Sequence, residues 1–505
     1  MDDRLRALCD LSVPGSREFA GVHDYDGEVQ DLSPAGVAAG LAALGGAPSS
    51  APYSDPHDEA HVAASEDYAR VLYGEVQWHR RNPLVHVANL ELSCYDRAYA
   101  PAGDRADARW RHLARWPEAV DAALESLDAV AAPVASACLG PVRGLVAGLD
   151  SERSAVEAAA VAAHAELEAH VRAAAAHGDP SAALGEATLA RLLGSAEAME
   201  VDLAALRRIA DTERDRLRAM LDEGCGRLRP GVPVGQVIPE LLADHPDTDG
   251  VLEEARALTA EVIAWTAEHQ LVPYDDGECL VGPAPESRHW AMAMMAWAAP
   301  AEPEGPSWFH VTPPGPSWPR AEQEEWLAVF SRTTLPAIAV HEVAPGHFSH
   351  GRALRRAPTE ARRLLLSEAF LEGWAHYVEE LAVEEGFRAT DPRFAVGVAL
   401  EGLVRVTRLA CAIGVHTGEM SVDEAAARFR SDAFLQGPAA LSEAQRATFD
   451  PTYGRYTWGK LAIRDLRRDA RHAWGGGFTL RRFHSALLEL GSPPLGLLRT
   501  AVERG

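Results

Sequence analysis

Residues 341–347 read His-Glu-Val-Ala-Pro-Gly-His, and residues 368–379 read Glu-Ala-Phe-Leu-Glu-Gly-Trp-Ala-His-Tyr-Val-Glu. The second stretch predicts a helix. Glu368, Glu372 and His376 follow at intervals of four, and Glu379 lies seven beyond Glu372, so three carboxylates and an imidazole share one face. Like charges held so close repel one another, and a buried cation relieves the repulsion. The first stretch adds two histidines with a glutamate beside the first. These are the parts of a catalytic zinc site, where three protein ligands leave a fourth position open. A plainer alternative is a solvated acidic face paired with Arg352, Arg355 and Arg356; the two matching segments in order weigh against it.

In the common HExxH motif the histidines are four residues apart and share one helical face. Here Pro345 occupies the fourth position and the next histidine, His347, lies six residues from His341, about 240° around a regular helix. Proline removes a backbone donor and clashes with the carbonyl four residues back, and glycine accepts dihedrals that other residues avoid. The sequence therefore predicts a helix that is irregular between Ala344 and His347, unwound or bulged enough to return His347 to the side of His341.

These residues resemble the HExxPGHH signature of the bacterial domain-of-unknown-function family 885, a group described as zinc hydrolases of helical architecture similar to the peptidases with a glutamate as third ligand. Phe370-Leu371-Glu372-Gly373-Trp374-Ala375-His376-Tyr377-Val378-Glu379 resembles the family's F-x-EGWA-x-Y-x-E segment. Arg408-Leu409 with Gly414-Val415-His416 resembles its RL-x(4)-GIH segment, and Asp450 to Lys460 its DPTY-x(2)-YT-x-GK segment. The landmarks keep their order across roughly residues 270 to 470. The chain departs at Phe348, where many members have a second histidine, and at Ala412 and Ile413, where they often have Asp-Thr.

The resemblance implies Glu372 as third ligand beside His341 and His347, and Gly373 next to it permits close backbone approach. Glu368 and His376 stand as reserves around the site, and Glu379 suits the outer N–H of a ligand histidine. Glu342 is expected to be the general base, acting on a water that zinc (Zn2+) has brought toward neutrality. Tyr456 is the first choice for stabilising an oxyanion, with Tyr453 and His416 next. Arg408 and Lys460 are candidates for a substrate carboxylate, although both also read as structural ion pairs, Lys460 more so.

The chain has 505 residues and a formal net charge of −26, which repels nucleic acid and anionic membranes. The N-terminal residues carry acids where a secretion signal needs positive charge, and no apolar run approaches a membrane span, so a cytoplasmic protein is expected. Six cysteines without CxxC pairing read as reduced thiols. Alanine-rich runs such as Ser154 to Ala176 and Met199 to Asp222 predict long helices. Pro/Gly-rich breaks at Gly45 to Pro56, Leu228 to Val234 and Gly277 to Pro285 are too short for interdomain linkers. Trp290 to Trp297 and Ser307 to Thr312, apolar and fenced by Pro and Gly, read as strands, the first alternatively as a buried helical turn. A strand edge beside the metal would hold an extended substrate by main-chain hydrogen bonds.

The expectation is thus a mostly α protein, one large helical domain with a central cleft and a small sheet beside the metal site, resembling the zincin peptidases. Residues 1–265 form its helical scaffold and residues 266–505 its metal-binding half, continuous with the first. The expected activity is zinc-dependent hydrolysis of an amide bond in a peptide or peptide-like small molecule. The alternatives are a zinc enzyme acting on a non-peptide metabolite, and a non-catalytic binding protein that keeps the cleft. Retention of Glu342 argues against the last, since metal binding needs no base.

Overall fold

The alanine-rich run expected from Ser154 forms helix α1 (Ala155–His177), whose first turn is capped by the Ser154 hydroxyl accepting from the Glu157 N–H. The run expected from Met199 begins later, as α2 (Leu203–Leu228), because Asp202 accepts from the Ala205 N–H and fixes the start there. The computed structural model describes residues 1–47, 52–285, 288–289, 291–302 and 305–505, and most of these are helical.

Three short strands form the only sheet among the described residues: β1 (Cys279–Pro283), β2 (Ala293–Ala296) and β3 (Ser307–Val311), in the order β1-β3-β2. β1 runs parallel to β3 with Cys279 opposite Ser307, and β2 runs antiparallel to it with Ala293 opposite Val311. The stretch expected from Ser307 is a strand almost to its predicted end. The stretch expected from Trp290 is a strand only at Ala293–Ala296, and Trp290 itself lies outside the described residues. β1 falls within what the sequence presents as a Pro/Gly-rich break. Its five residues gain a partner only through a parallel pairing with residues far along the chain, which no local pattern announces.

The helices that build the site are α3 (Leu335–Glu342), α4 (His347–Leu354), α5 (Glu368–Glu384), α6 (Pro392–His416) and α7 (Arg455–Trp474). α2 packs along α6, and α5 along α7. The second pair approaches through two glycines: a Cβ on Gly459 would sit 1.8 Å from the Ala369 carbonyl oxygen, and one on Gly373 would sit 2.5 Å from the Gly459 Cα. Glycine costs a helix up to about 1 kcal/mol relative to alanine, and here the intimacy of the crossing requires it.

The largest apolar core draws on side chains from Leu189 to Ala501, across residue 265, and a second on side chains from Val29 to Val171. All six cysteines are unpaired, and all but Cys279 are buried. Among the described residues no helix is long and apolar enough to cross a membrane.

Candidate metal centre

The helix carrying His341 stops at Glu342 and a new one starts at His347, so the Pro-Gly segment interrupts the helix completely. The Ala344–Pro345 peptide is cis. Gly346 passes so close to the end of α3 that a Cβ there would lie 1.8 Å from the His341 carbonyl oxygen. The Trp374 indole donates to the Pro345 carbonyl at 3.0 Å and ties the break to α5. As a result the imidazoles of His341 and His347 face each other nearly perpendicular, at 86°, with centroids 4.7 Å apart.

On α5, capped by the Ser367 hydroxyl accepting from the Phe370 N–H, Glu372 points between them. Its Oε2 lies 3.4 Å from the Nε2 of each histidine. One donor atom from each of the three residues falls within 4.8 Å of the others. Glu372 Oε2 is nevertheless buried without a hydrogen bond. A buried acceptor left unsatisfied costs about 1–3 kcal/mol, more when charged. A single cation among two imidazole nitrogens and a carboxylate oxygen removes that deficit, and the donor set is one that zinc takes. The residues present therefore fit the ion.

Behind the donors lies a second layer. Glu379, fully buried, has Oε1 at 2.6 Å from His341 Nδ1 and Oε2 at 3.2 Å from His376 Nδ1, and it accepts from Arg405 Nη1 at 2.9 Å. An acceptor on Nδ1 keeps the proton there and frees Nε2 to face the cluster. Burial opposes charge on both members of the pair, but Arg405 and the two imidazoles hold the Glu379 carboxyl far below its usual range. Burial and Arg405 push the His341 imidazole down, yet Glu372 and Glu379 outweigh them and lift it to about 9. Burial raises the Glu372 carboxyl, and the two facing imidazoles bring it well below the ordinary carboxylate value. His376 is pushed down to about 3, chiefly by burial and by Lys460, so it is neutral.

The cluster lies on the wall of a cleft of about 1210 Å³. Glu342, the last residue of α3 and the chain neighbour of His341, lines it, as does Tyr456 on α7, whose ring centroid is 6.3 Å from that of His341. The guanidinium groups of Arg408, Arg455 and Arg405 lie 5.0, 5.7 and 5.9 Å from the Tyr456 ring centroid. Burial and the charge of Glu372 raise the Tyr456 hydroxyl above its ordinary value, with Arg446, Arg408 and Arg455 opposing.

The remaining expected residues scatter. Glu368 is exposed at the rim and pairs with Arg455 at 3.3 Å. Arg408 lines the cleft, already paired with Glu443 at 2.7 Å. Tyr453 is buried behind it, its hydroxyl donating to the same Glu443. Lys460 is fully buried between Glu213 and Glu380, at 2.5 and 2.6 Å, and is not part of the cleft wall. His416 is buried at the end of α6, also away from that wall, where desolvation lowers it to about 4. His350 is held at 2.9 Å from the Ser492 hydroxyl and takes no part in the cluster. The residue that sequence reasoning missed is Arg405. Its signal was present in the four-residue step from Glu401, to which it is paired at 3.4 Å.

Fold and site together define a mostly helical protein with a small mixed sheet and a His-His-Glu cluster opening on a large cleft. The chain belongs to the family described as "Bacterial protein of unknown function (DUF885)", which matches it over residues 14–502. Two solved structures share the fold. One is a "putative lipoprotein of unknown function" from Shewanella oneidensis, 20% identical, covering 97% of this chain and 96% of its own, with a TM-score of 0.76. The other is a "putative lipoprotein" from Colwellia psychrerythraea, 16% identical, covering 99% and 97%, with a TM-score of 0.79. No curated protein matches the chain.

Proposed function

We propose that this protein is a zinc-dependent hydrolase of the zincin-peptidase type that cleaves an amide bond in a peptide or peptide-like molecule. The observation that carries the reading is the convergence of His341, His347 and Glu372 on one point, with Glu342, the chain neighbour of His341, lining the same cleft. Those three residues would hold zinc, which would supply a Lewis acid for the carbonyl and bring a water toward neutrality.

The other parts are the chain's own. Glu342 takes the proton of the attacking water and delivers it to the amine as the C–N bond breaks, leaving a carboxylic acid and an amine. The Tyr456 hydroxyl donates to the oxygen that becomes negative when the carbonyl is attacked. Glu379, fixed by Arg405, keeps the His341 ring in one tautomer and one orientation. β2 is an edge strand whose four residues all line the cleft, so it can hold an extended substrate by main-chain hydrogen bonds.

The test is incubation of zinc-supplemented protein with a peptide library, read by mass spectrometry. Fragment pairs whose masses sum to substrate plus one water are expected. Glu342→Gln should keep its metal and lose about 10²–10⁴ in turnover. Undiminished turnover in that variant would remove Glu342 from the mechanism, and ligands held but recovered intact would favour a binding protein.

A further inference from the structure

The groups assigned to chemistry are recessed: Glu342 is 8% exposed, His341 4%, His347 6% and Tyr456 7%. A rigid surface loop of a folded protein cannot bring its backbone to such groups without entering the cleft. The cleft itself, at about 1210 Å³, is larger than the roughly 300–1,000 Å³ that holds a drug-sized molecule. It is sized for something longer than a single amino-acid derivative and far smaller than a protein domain.

The N-terminal segment supplies part of its wall through Leu8, Leu11 and Phe19. That segment is clamped at both sides. Toward the sheet, the Trp297 indole donates to the Phe19 carbonyl at 3.1 Å and the Ala301 N–H to the Ala20 carbonyl at 3.3 Å. Toward the far side, the N-terminal ammonium pairs with Glu360 at 3.1 Å and Arg4 with Glu66 at 2.8 Å. Residues distant in sequence from the metal cluster thus narrow the approach to it.

The chemistry of the wall is selective as well. Met295, Trp326, Val329, Val404 and Leu435 present apolar surface. Each arginine of the wall already has a carboxylate partner, Arg97 with Glu302, Arg288 with Glu18, Arg405 with Glu379, Arg408 with Glu443, and both Arg446 and Arg455 with Asp450. A substrate carboxylate would therefore have to break an existing pair to be bound.

From the recessed cluster, the clamped N-terminal wall and the apolar lining, we propose that the cleft takes short, predominantly apolar linear peptides and excludes folded proteins. This rests on the hydrolase reading and narrows its substrate class. The test uses the zinc-supplemented full chain with apolar peptides of increasing length, the same peptides carrying aspartate, and a folded protein with its reduced, unfolded form. The expected result is cleavage of short apolar peptides, a fall in kcat/KM of roughly tenfold or more for aspartate-bearing or long chains, and an intact folded protein. Trp318→Ala, which removes an exposed aromatic edge-to-face with Trp326 at 5.2 Å, should raise KM for apolar peptides about fivefold, the loss of one aromatic contact of ~1 kcal/mol. Cleavage of proteins and long chains as readily as short ones would overturn the size limit while leaving the hydrolase reading intact. If nothing is cleaved, calorimetry of Glu342→Gln with the same peptides decides: selective binding of short apolar peptides upholds the inference without the chemistry, and no binding overturns both.

Discussion

Glu379 carries more of the site than its distance from the cleft suggests. One carboxylate, fully buried, meets His341, His376 and Arg405 at once, so both of its oxygens are engaged. Glutamine at 379 preserves the shape but can offer only one acceptor oxygen, and its amide nitrogen must face a donor. We expect Glu379→Gln to weaken zinc binding about 10–100-fold, measured by competition with a chromophoric chelator. Zinc affinity equal to that of the native protein would reduce Glu379 to a packing role. His341 and its neighbour Glu342 stand out in the linear sequence because they are adjacent and followed by Pro-Gly and a second histidine. For Arg405 the spacing shows only the pair with Glu401; its contact with Glu379 depends on α6 lying against α5.

At the scale of elements, the break between α3 and α4 decides whether two histidines six residues apart can meet. Gly346→Ala would drive a Cβ to 1.8 Å from the His341 carbonyl oxygen, so the segment must shift and His347 with it. The expected outcome is loss of stability of about 1–3 kcal/mol, as for overpacking, together with reduced zinc uptake. Calorimetric unfolding and metal analysis of the same sample check both, and an unchanged Tm with full zinc would show that the break tolerates a side chain. The position of this irregularity was legible, because Pro345 and Gly346 have strong and opposite backbone preferences. Its extent was not: a bulge and a complete break obey the same local rules, and the Trp374 bond to the Pro345 carbonyl that favours the break comes from another helix. The long helices were likewise legible from composition, with Asp202 rather than Met199 setting where α2 begins. β1 was hidden because parallel pairing rewards five residues only after the chain has returned from a distance.

At the scale of the whole molecule, a chain of net charge −26 holds together partly through carboxylates neutralised in the interior. Lys460 on α7 joins Glu213 on α2 and Glu380 on α5, while Arg216 bridges the same two carboxylates at 2.6 Å. Its burial explains why it is absent from the cleft wall: it fastens three helices around the core beneath the His-His-Glu cluster. Removing one partner leaves buried carboxylates undercompensated, so Lys460→Met should cost about 3–5 kcal/mol in denaturant unfolding, with zinc binding retained wherever the variant is folded. A loss below 1 kcal/mol would mean that Arg216, with Arg464 at 3.4 Å from Glu380, suffices. The arrangement of three such helices around one cluster is a property of the folded chain, and only the family-like order of motifs hinted at it in the sequence.

The account depends first on a cation shared by His341, His347 and Glu372. Elemental analysis of the purified chain after zinc supplementation and removal of loosely bound metal tests this most directly. The prediction is about one zinc per chain, abolished in His347→Ala and retained in His350→Ala. A chain that takes up no zinc, or one whose zinc survives His347→Ala undiminished, would contradict it.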